Sequence, residues 1–210
     1  MVVAVSAVTV VLLVPRASAD PPAPCIFQCL RPDNEMIQPF PVIVPTASDW
    51  VPKFPFPFDQ TRNRVTEADI TALREMCQWY NAQYDQLIDQ IDRVQFNRIQ
   101  QNGPGVRVGS GTDWDYSVDG IQQQVDIVTA NIDQAVAFLT PRALALTIDQ
   151  DRANDNFFPL YGAEGFYRLW QQLSNVNNGI KAHQPDWFTG PSLRDAKSWG
   201  SKVNRSHVCD

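Results

Sequence analysis

Apolar side chains recur at spacings of three and four between Ile70 and Val94: Ile70, Leu73, Cys77, Tyr80, Tyr84, Leu87, Ile91 and Val94. Residues so spaced share one face of a helix with 3.6 residues per turn, and alternating threes and fours make the seam of a helix packed along another. A second stripe, Ile121, Val125, Val128, Ile132, Ala135 and Leu139, has the same character. Together they predict an antiparallel helical hairpin with matched apolar seams. Thr66 is the expected N-cap of the first helix, with Asp69 at the capping-box position, and Gly103-Pro104-Gly105 ends it. Asp119, with Gln122 three residues on, is the expected cap of the second. Thr140-Pro141 reads as the start of a third helix through about Asp151, with a kink inside one longer helix as the alternative. Phe166, Leu169, Trp170, Leu173 and Val176 mark a fourth, closed by Asn178-Gly179, and the tail from Pro185 to Asp210 reads as loop.

The pattern is different ahead of the helices. Val2 to Val14 is a run of thirteen residues without a charge, followed by Ala17-Ser18-Ala19. That is the apolar core and small-residue cleavage site of a secretory signal peptide, and it falls short of the roughly 20 residues a spanning helix needs. Residues 1–19 are therefore expected to be removed before Asp20. The basic stretch that ordinarily opens such a segment is absent, because Val2 follows Met1, so further residues are expected upstream. Residues 20–58 hold ten of the sixteen prolines, which forbids helix and favours extended backbone. This arm is also apolar, with Phe54, Phe56 and Phe58 as expected anchors on a helical domain spanning 59–210. Its alternative use is presentation to a partner's aromatic groove.

An oxidising compartment changes how the four cysteines read. Cys25, Cys29, Cys77 and Cys209 become two expected disulfides, Cys77–Cys209 and a local Cys25–Cys29 link, rather than metal or redox groups. With 17 basic and 23 acidic residues the chain carries a net charge of −6 and no basic run, which argues against nucleic acid as a partner. Glutamine is abundant on the helices and reads as solvated amide faces.

Candidate chemistry is sparse. Asp115, Ser117, Asp119 and Asp126, with Gly120 in the turn, resemble a calcium loop, since alternate oxygens can converge on a hard cation. Asp126 is a shorter ligand than the usual glutamate, so calcium is a weak candidate and no other cofactor is expected. Asp149, Asp151, Asp155 and Asn156 form a second oxygen-rich stretch. His183 and His207 lack a nucleophile elbow beside them. Asp85, Asp89 and Asp92 recur at helical spacing but read as a solvated face. Trp79, Tyr80 and Tyr84 read as packing between helices.

The run Ala17-Ser18-Ala19-Asp20-Pro21-Pro22-Ala23-Pro24, then a proline-rich arm, then a cysteine-containing helical domain, resembles small exported proteins of actinobacteria. The resemblance implies export and assigns no functional residue. The reading is a mainly α protein with an extended arm and a disulfide-tied tail, secreted or associated with the cell envelope, acting by binding or scaffolding toward an envelope protein. An envelope hydrolase or carbohydrate-active enzyme, and a carrier of small apolar ligands, are the alternatives.

Overall fold

The computed structural model describes residues 37–101, 111–152 and 155–210. The expected signal peptide, Cys25, Cys29 and the arm up to residue 36 lie outside the described residues, as does the Gly-rich stretch from 102 to 110.

Thr66 caps the first helix as expected. Its hydroxyl accepts the Asp69 N–H at 3.2 Å, and Asp69 Oδ2 accepts the Thr66 N–H at 2.8 Å. Helix α1, Glu67–Trp79, runs through a five-residue π turn, Tyr80–Tyr84, into α2, Asp85–Gln101. Helix α3 spans Ile121–Ala145. Cross-helix pairs step down one helix as they step up the other: Asn97 to Gln124, Gln90 to Asn131, Glu75 to Arg142 and Asp69 to Thr147. The two are therefore antiparallel. Leu73, Leu87, Ile132 and Leu139 are wholly buried between them, each worth roughly 1.5–3 kcal/mol of transfer.

Three helix boundaries differ from expectation. Gly120, not Asp119, stands at the N-cap of α3, with a φ of 80° that a glycine adopts without a Cβ clash. Asp119 is exposed and makes no cap. Pro141 lies inside α3 and does not begin a new helix. The neighbouring turn is held from its sides: Thr140 donates to the Val136 carbonyl at 2.7 Å, and Arg142 to the Phe138 carbonyl at 2.6 Å. Buried packing on both sides of the proline offsets its missing N–H. Asn178-Gly179 lies within α4, Ala163–Lys181, where Gly179 is buried against Trp187; His183, at φ 53°, follows the helix end.

After α3 come two short antiparallel strands, β1 Asp149–Arg152 and β2 Asp155–Phe157, paired Asp149 with Phe157 and Arg152 with Asp155. The tail is helical rather than loop: α5 Pro185–Thr189 and α6 Pro191–Ser206. Helix α4 packs between α3 and α6. The buried face of α6 is Leu193, Ala196, Gly200 and Val203, a stripe of mostly small residues that hydrophobic periodicity underweights.

Gly200 needs to be small. A Cβ there would run into the Tyr84 hydroxyl and ring. Tyr80 donates to the Gly200 carbonyl at 2.9 Å, and the Tyr80 and Tyr84 rings stack at 4.6 Å. The π turn thus seats α6. Burial, with Asp85 nearby, pushes the Tyr80 hydroxyl up to about 12 and Tyr84 upward as well.

Cys77 and Cys209 form a disulfide across 132 residues, with Cα atoms 5.1 Å apart. No helix among the described residues is long and apolar enough to cross a membrane. Both observations are compatible with an extracytoplasmic location.

Candidate functional site

Residues 37–55, which contain five of the prolines, run without helix or strand structure along the helical hairpin. They form a strap. Ile37 is buried, and Phe40, Ile43, Trp50 and Phe54 pack on the core. Of the expected anchors, Phe54 turns inward beneath the Arg62 guanidinium, and Phe58 stacks on Phe157 at 5.6 Å. Phe56 is 82% exposed and anchors nothing. An extended run would set residues 54, 56 and 58 on one face, but the chain turns at Pro55, whose carbonyl accepts the N–H groups of Phe58 and Asp59.

The strap's backbone is held by side-chain amides. Asn131 accepts the Phe40 N–H at 2.9 Å and donates to the Gln38 carbonyl at 2.8 Å, as a neighbouring strand would. Gln90 donates to the same Gln38 carbonyl at 3.0 Å, and Gln83 to the Pro41 carbonyl at 2.6 Å. Gln78 accepts the backbone N–H of Thr46 at 2.9 Å and donates to its carbonyl at 2.8 Å. Farther along, Trp50 donates its indole N–H to the Val208 carbonyl at 2.7 Å, and Lys53 reaches the His207 carbonyl. The strap and the disulfide thus hold the same C-terminal residues.

These glutamines correct the reading of solvated amide faces. Gln83, Gln90, Asn97, Gln124 and Asn131 are all buried. A proline-rich segment has few N–H groups and cannot build a full ladder, but its carbonyls still require donors when covered. Carboxamides can both donate and accept, so they satisfy such a backbone. The signal was present as a seven-residue interval in Gln83, Gln90 and Asn97, and again in Gln124 and Asn131.

A cleft of about 200 Å³ opens under the strap where this row of amides stops. Val42 and Ile43 come from the strap, Trp79 and Gln83 from the first helix and π turn, and Gln134, Ala137 and Phe138 from α3. Trp79 is 1% exposed, and its indole N–H has no hydrogen-bond partner. A second cleft, of about 300 Å³, lies among Phe58, Phe157, Tyr161, Trp199 and Lys202, with the Lys202 ammonium over the Trp199 ring.

The acidic candidates stay apart. Asp115 Oδ1 accepts the Ser117 hydroxyl at 2.6 Å and its N–H at 3.0 Å, which holds its carboxyl below the usual carboxylate range. Asp126 accepts from Gln122 at 2.8 Å, one turn into α3. Among the described residues no three His, Cys, Asp or Glu side chains gather as a metal site. Calcium at millimolar excess over a chelator is accordingly expected to move the melting temperature by no more than about 1 °C. A rise of several degrees would mark Asp115, Ser117, Asp119 and Asp126 as cation ligands. Asp149 pairs with Arg64 at 3.0 Å.

His183 meets Asp113 at 2.8 Å and His207 meets Asp210 at 2.6 Å. Both imidazoles are exposed, and neither is hydrogen-bonded to a serine, threonine or cysteine among the described residues. Tyr116, edge-on to His183, is pushed up to about 12 by burial and then by Asp113. Asp85, Asp89 and Asp92 are exposed, and Asp92 pairs with Lys197. Trp79, Tyr80 and Tyr84 are buried in the core.

Comparison with protein-family models, with curated proteins and with solved structures finds no match for this chain.

Proposed function

We propose that this protein works outside the cytoplasm, at or beyond the cell envelope, as a non-enzymatic binding or scaffolding module that offers the outer face of its strap to a protein partner. One observation carries the reading. The four most exposed large apolar side chains among the described residues, Val42, Val44, Val51 and Phe56, are all more than 70% exposed, and they lie on the strap or, for Phe56, in the turn directly after it. Their neighbours Ile43, Trp50 and Phe54 face the core. Exposed apolar groups collected on one segment suit a contact surface better than scattered ones do. The amide clamps support the same use, because a segment already ordered loses little further entropy when a partner covers it.

The test is site-specific photocrosslinking. A benzoylphenylalanine at Val44 or at Phe56, in protein made by its own host, is expected to give one discrete adduct of the same mass from both positions. The same residue at Asp89, exposed on α2, is expected to give none. Absence of an adduct from either Val44 or Phe56, or an equal one from Asp89, overturns the reading.

A further inference from the structure

We propose that the cleft between the π turn and α6 binds one neutral sugar ring, free or at the end of a glycan, and that the hydroxyl of Tyr84 hydrogen-bonds to it from the cleft floor. The inference goes beyond the strap, because no residue of 37–55 lines this cleft. The cleft holds about 300 Å³, at the lower end of the roughly 300–1,000 Å³ of small-molecule sites.

The supporting observation is a buried hydroxyl that lacks a partner and that the cleft can reach. Tyr84 is 6% exposed. Its hydroxyl makes no hydrogen bond among the described residues, yet it is not sealed from solvent as the Trp79 indole nitrogen is. Buried polar groups nearly always have a partner, and an exception needs an explanation. Two facts place this hydroxyl at the cleft. It lies against Gly200, where a Cβ would come within 1.9 Å of it. Lys197 and Asn204, one turn before and one turn after Gly200 on α6, both line the cleft. The hydroxyl also feels the charges of Asp85 and Asp92, which line the cleft from α2. Tyr80, stacked on Tyr84 at 4.6 Å, gives its own hydroxyl to the Gly200 carbonyl at 2.9 Å. The pair therefore has one hydroxyl bound and one open. Burial, and then Tyr80, Asp85 and Asp92, keep the Tyr84 hydroxyl protonated far above its ordinary range, so it remains a donor. A π turn within a helix is a recurrent feature of functional sites, and this one brings both tyrosines to the cleft.

The rest of the lining specifies the ligand. Asp92 and Lys197 neutralise each other. The side chains of Asp85, Ser201 and Asn204 have no partner among the described residues. A carboxylate accepts, an ammonium donates, and a hydroxyl or carboxamide does both. Such a mixture within one small cleft matches a ring of adjacent hydroxyls, each of which donates and accepts. An anion would meet Asp85 and Asp92 at close range. A simple cation would satisfy Asp85 and leave Tyr84, Ser201 and Asn204 without an acceptor to meet. Ile88 and the Tyr80 ring supply apolar surface for the C–H face of the sugar.

The experiment titrates the full ¹⁵N-labelled chain with glucose, galactose, mannose and N-acetylglucosamine, and with putrescine and acetate as charged probes. At least one sugar is expected to shift the backbone amides of Tyr84, Asp85, Ser201 and Asn204 saturably. Glucose, galactose and mannose differ in the direction of single hydroxyls, so their affinities are expected to differ by about tenfold. The methyl glycoside of the best sugar separates the sources: retained affinity marks a glycan end, lost affinity a free sugar. Tyr84→Phe deprives no protein group of a partner, so it is expected to keep the melting temperature and to weaken sugar binding about tenfold. Asn204 is exposed, and Asn204→Ala is expected to weaken binding several-fold with the fold intact. No saturable shift with any of the four sugars, equal shifts from all of them, tighter binding of putrescine or acetate at the same residues, or unchanged sugar affinity in either variant would each overturn the proposal. None of these outcomes bears on crosslinking from Val44 or Phe56.

Discussion

Replacing Cys77 and Cys209 together by alanine is expected to lower the melting temperature by roughly 10–20 °C. The bridge closes a loop of 132 residues. In the chain-entropy account, cutting such a loop frees the unfolded chain by about 5 kcal/mol. For a domain of this size each kcal/mol corresponds to about 2–4 °C. Alanine is the right replacement because Cys77 is 4% exposed, and a serine hydroxyl there would bring a desolvation cost of its own. The loss also has a local part. Val208 is wholly buried, its carbonyl holds Trp50, and the Cys209 carbonyl accepts from Asn81. Calorimetry of the double variant measures the total, and hydrogen exchange over residues 203–210 measures the local share. A fall of less than about 3 °C would mean that the packing of α6 and the strap already holds the C-terminus, and the entropic argument would fail.

What could be read from the chain follows the strength of each local signal. The stripe from Leu73 to Val94 is buried at every position, because large apolar side chains at helical spacing leave little choice of face. Thr66 and Asp69 were legible because a capping box is decided within four residues. An even count of cysteines and an expected oxidising compartment pointed to disulfides, but four cysteines allow three pairings, and it is the structure that joins Cys77 to Cys209. The misreadings arose where distant contacts outweighed local preference. Pro141 has a strong tendency to begin a helix, yet α3 passes through it, with Leu139 and Ala143 buried on either side. The helix α6 hides its core face in small residues, buried Ala196 and Gly200, and the value of Gly200 is its close approach to Tyr84 rather than hydrophobicity. The π turn leaves no mark in the spacing, since Tyr80 and Tyr84 keep the interval of an ordinary helix.

The candidate site was the least legible part, and the reason is chemical. Glutamine and asparagine on a helix are ordinarily solvated, and nothing in their hydropathy separates those from the amides that clamp a buried backbone. Their heptad interval does separate them. Solvated residues have no reason to recur every seven positions on two helices at once, whereas residues beside a packed seam do. Of the residues on that interval, Gln83, Gln90 and Asn131 donate to carbonyls of the proline-rich segment, whereas Asn97 and Gln124 bond each other across the hairpin. The same logic locates the cleft, since it opens at the rung where Phe138 stands in line with Asn131 and Gln124.

Asn131→Ala tests that logic at its most connected point. The side chain is 3% exposed and joins the Phe40 N–H, the Gln38 carbonyl and Gln90 Oε1. Gln38 keeps its bond from Gln90 in the variant, but the Phe40 N–H and Gln90 Oε1 lose a partner in a place water reaches poorly. Orphaning two such groups costs about 3 kcal/mol, or about 6–12 °C in melting temperature. The matched control is Asn97→Ala, which removes the bond to Gln124 at 2.6 Å, an inter-helix pair of the same chemistry. Both variants are expected to lose stability. Only Asn131→Ala is expected to speed amide exchange at Gln38, Phe40 and Thr46 and to expose the strap to limited proteolysis near Val44. Equal exchange in the two variants would show that these amides serve the hairpin's register alone, and that Ile37, Phe40 and Ile43 hold the strap by apolar packing.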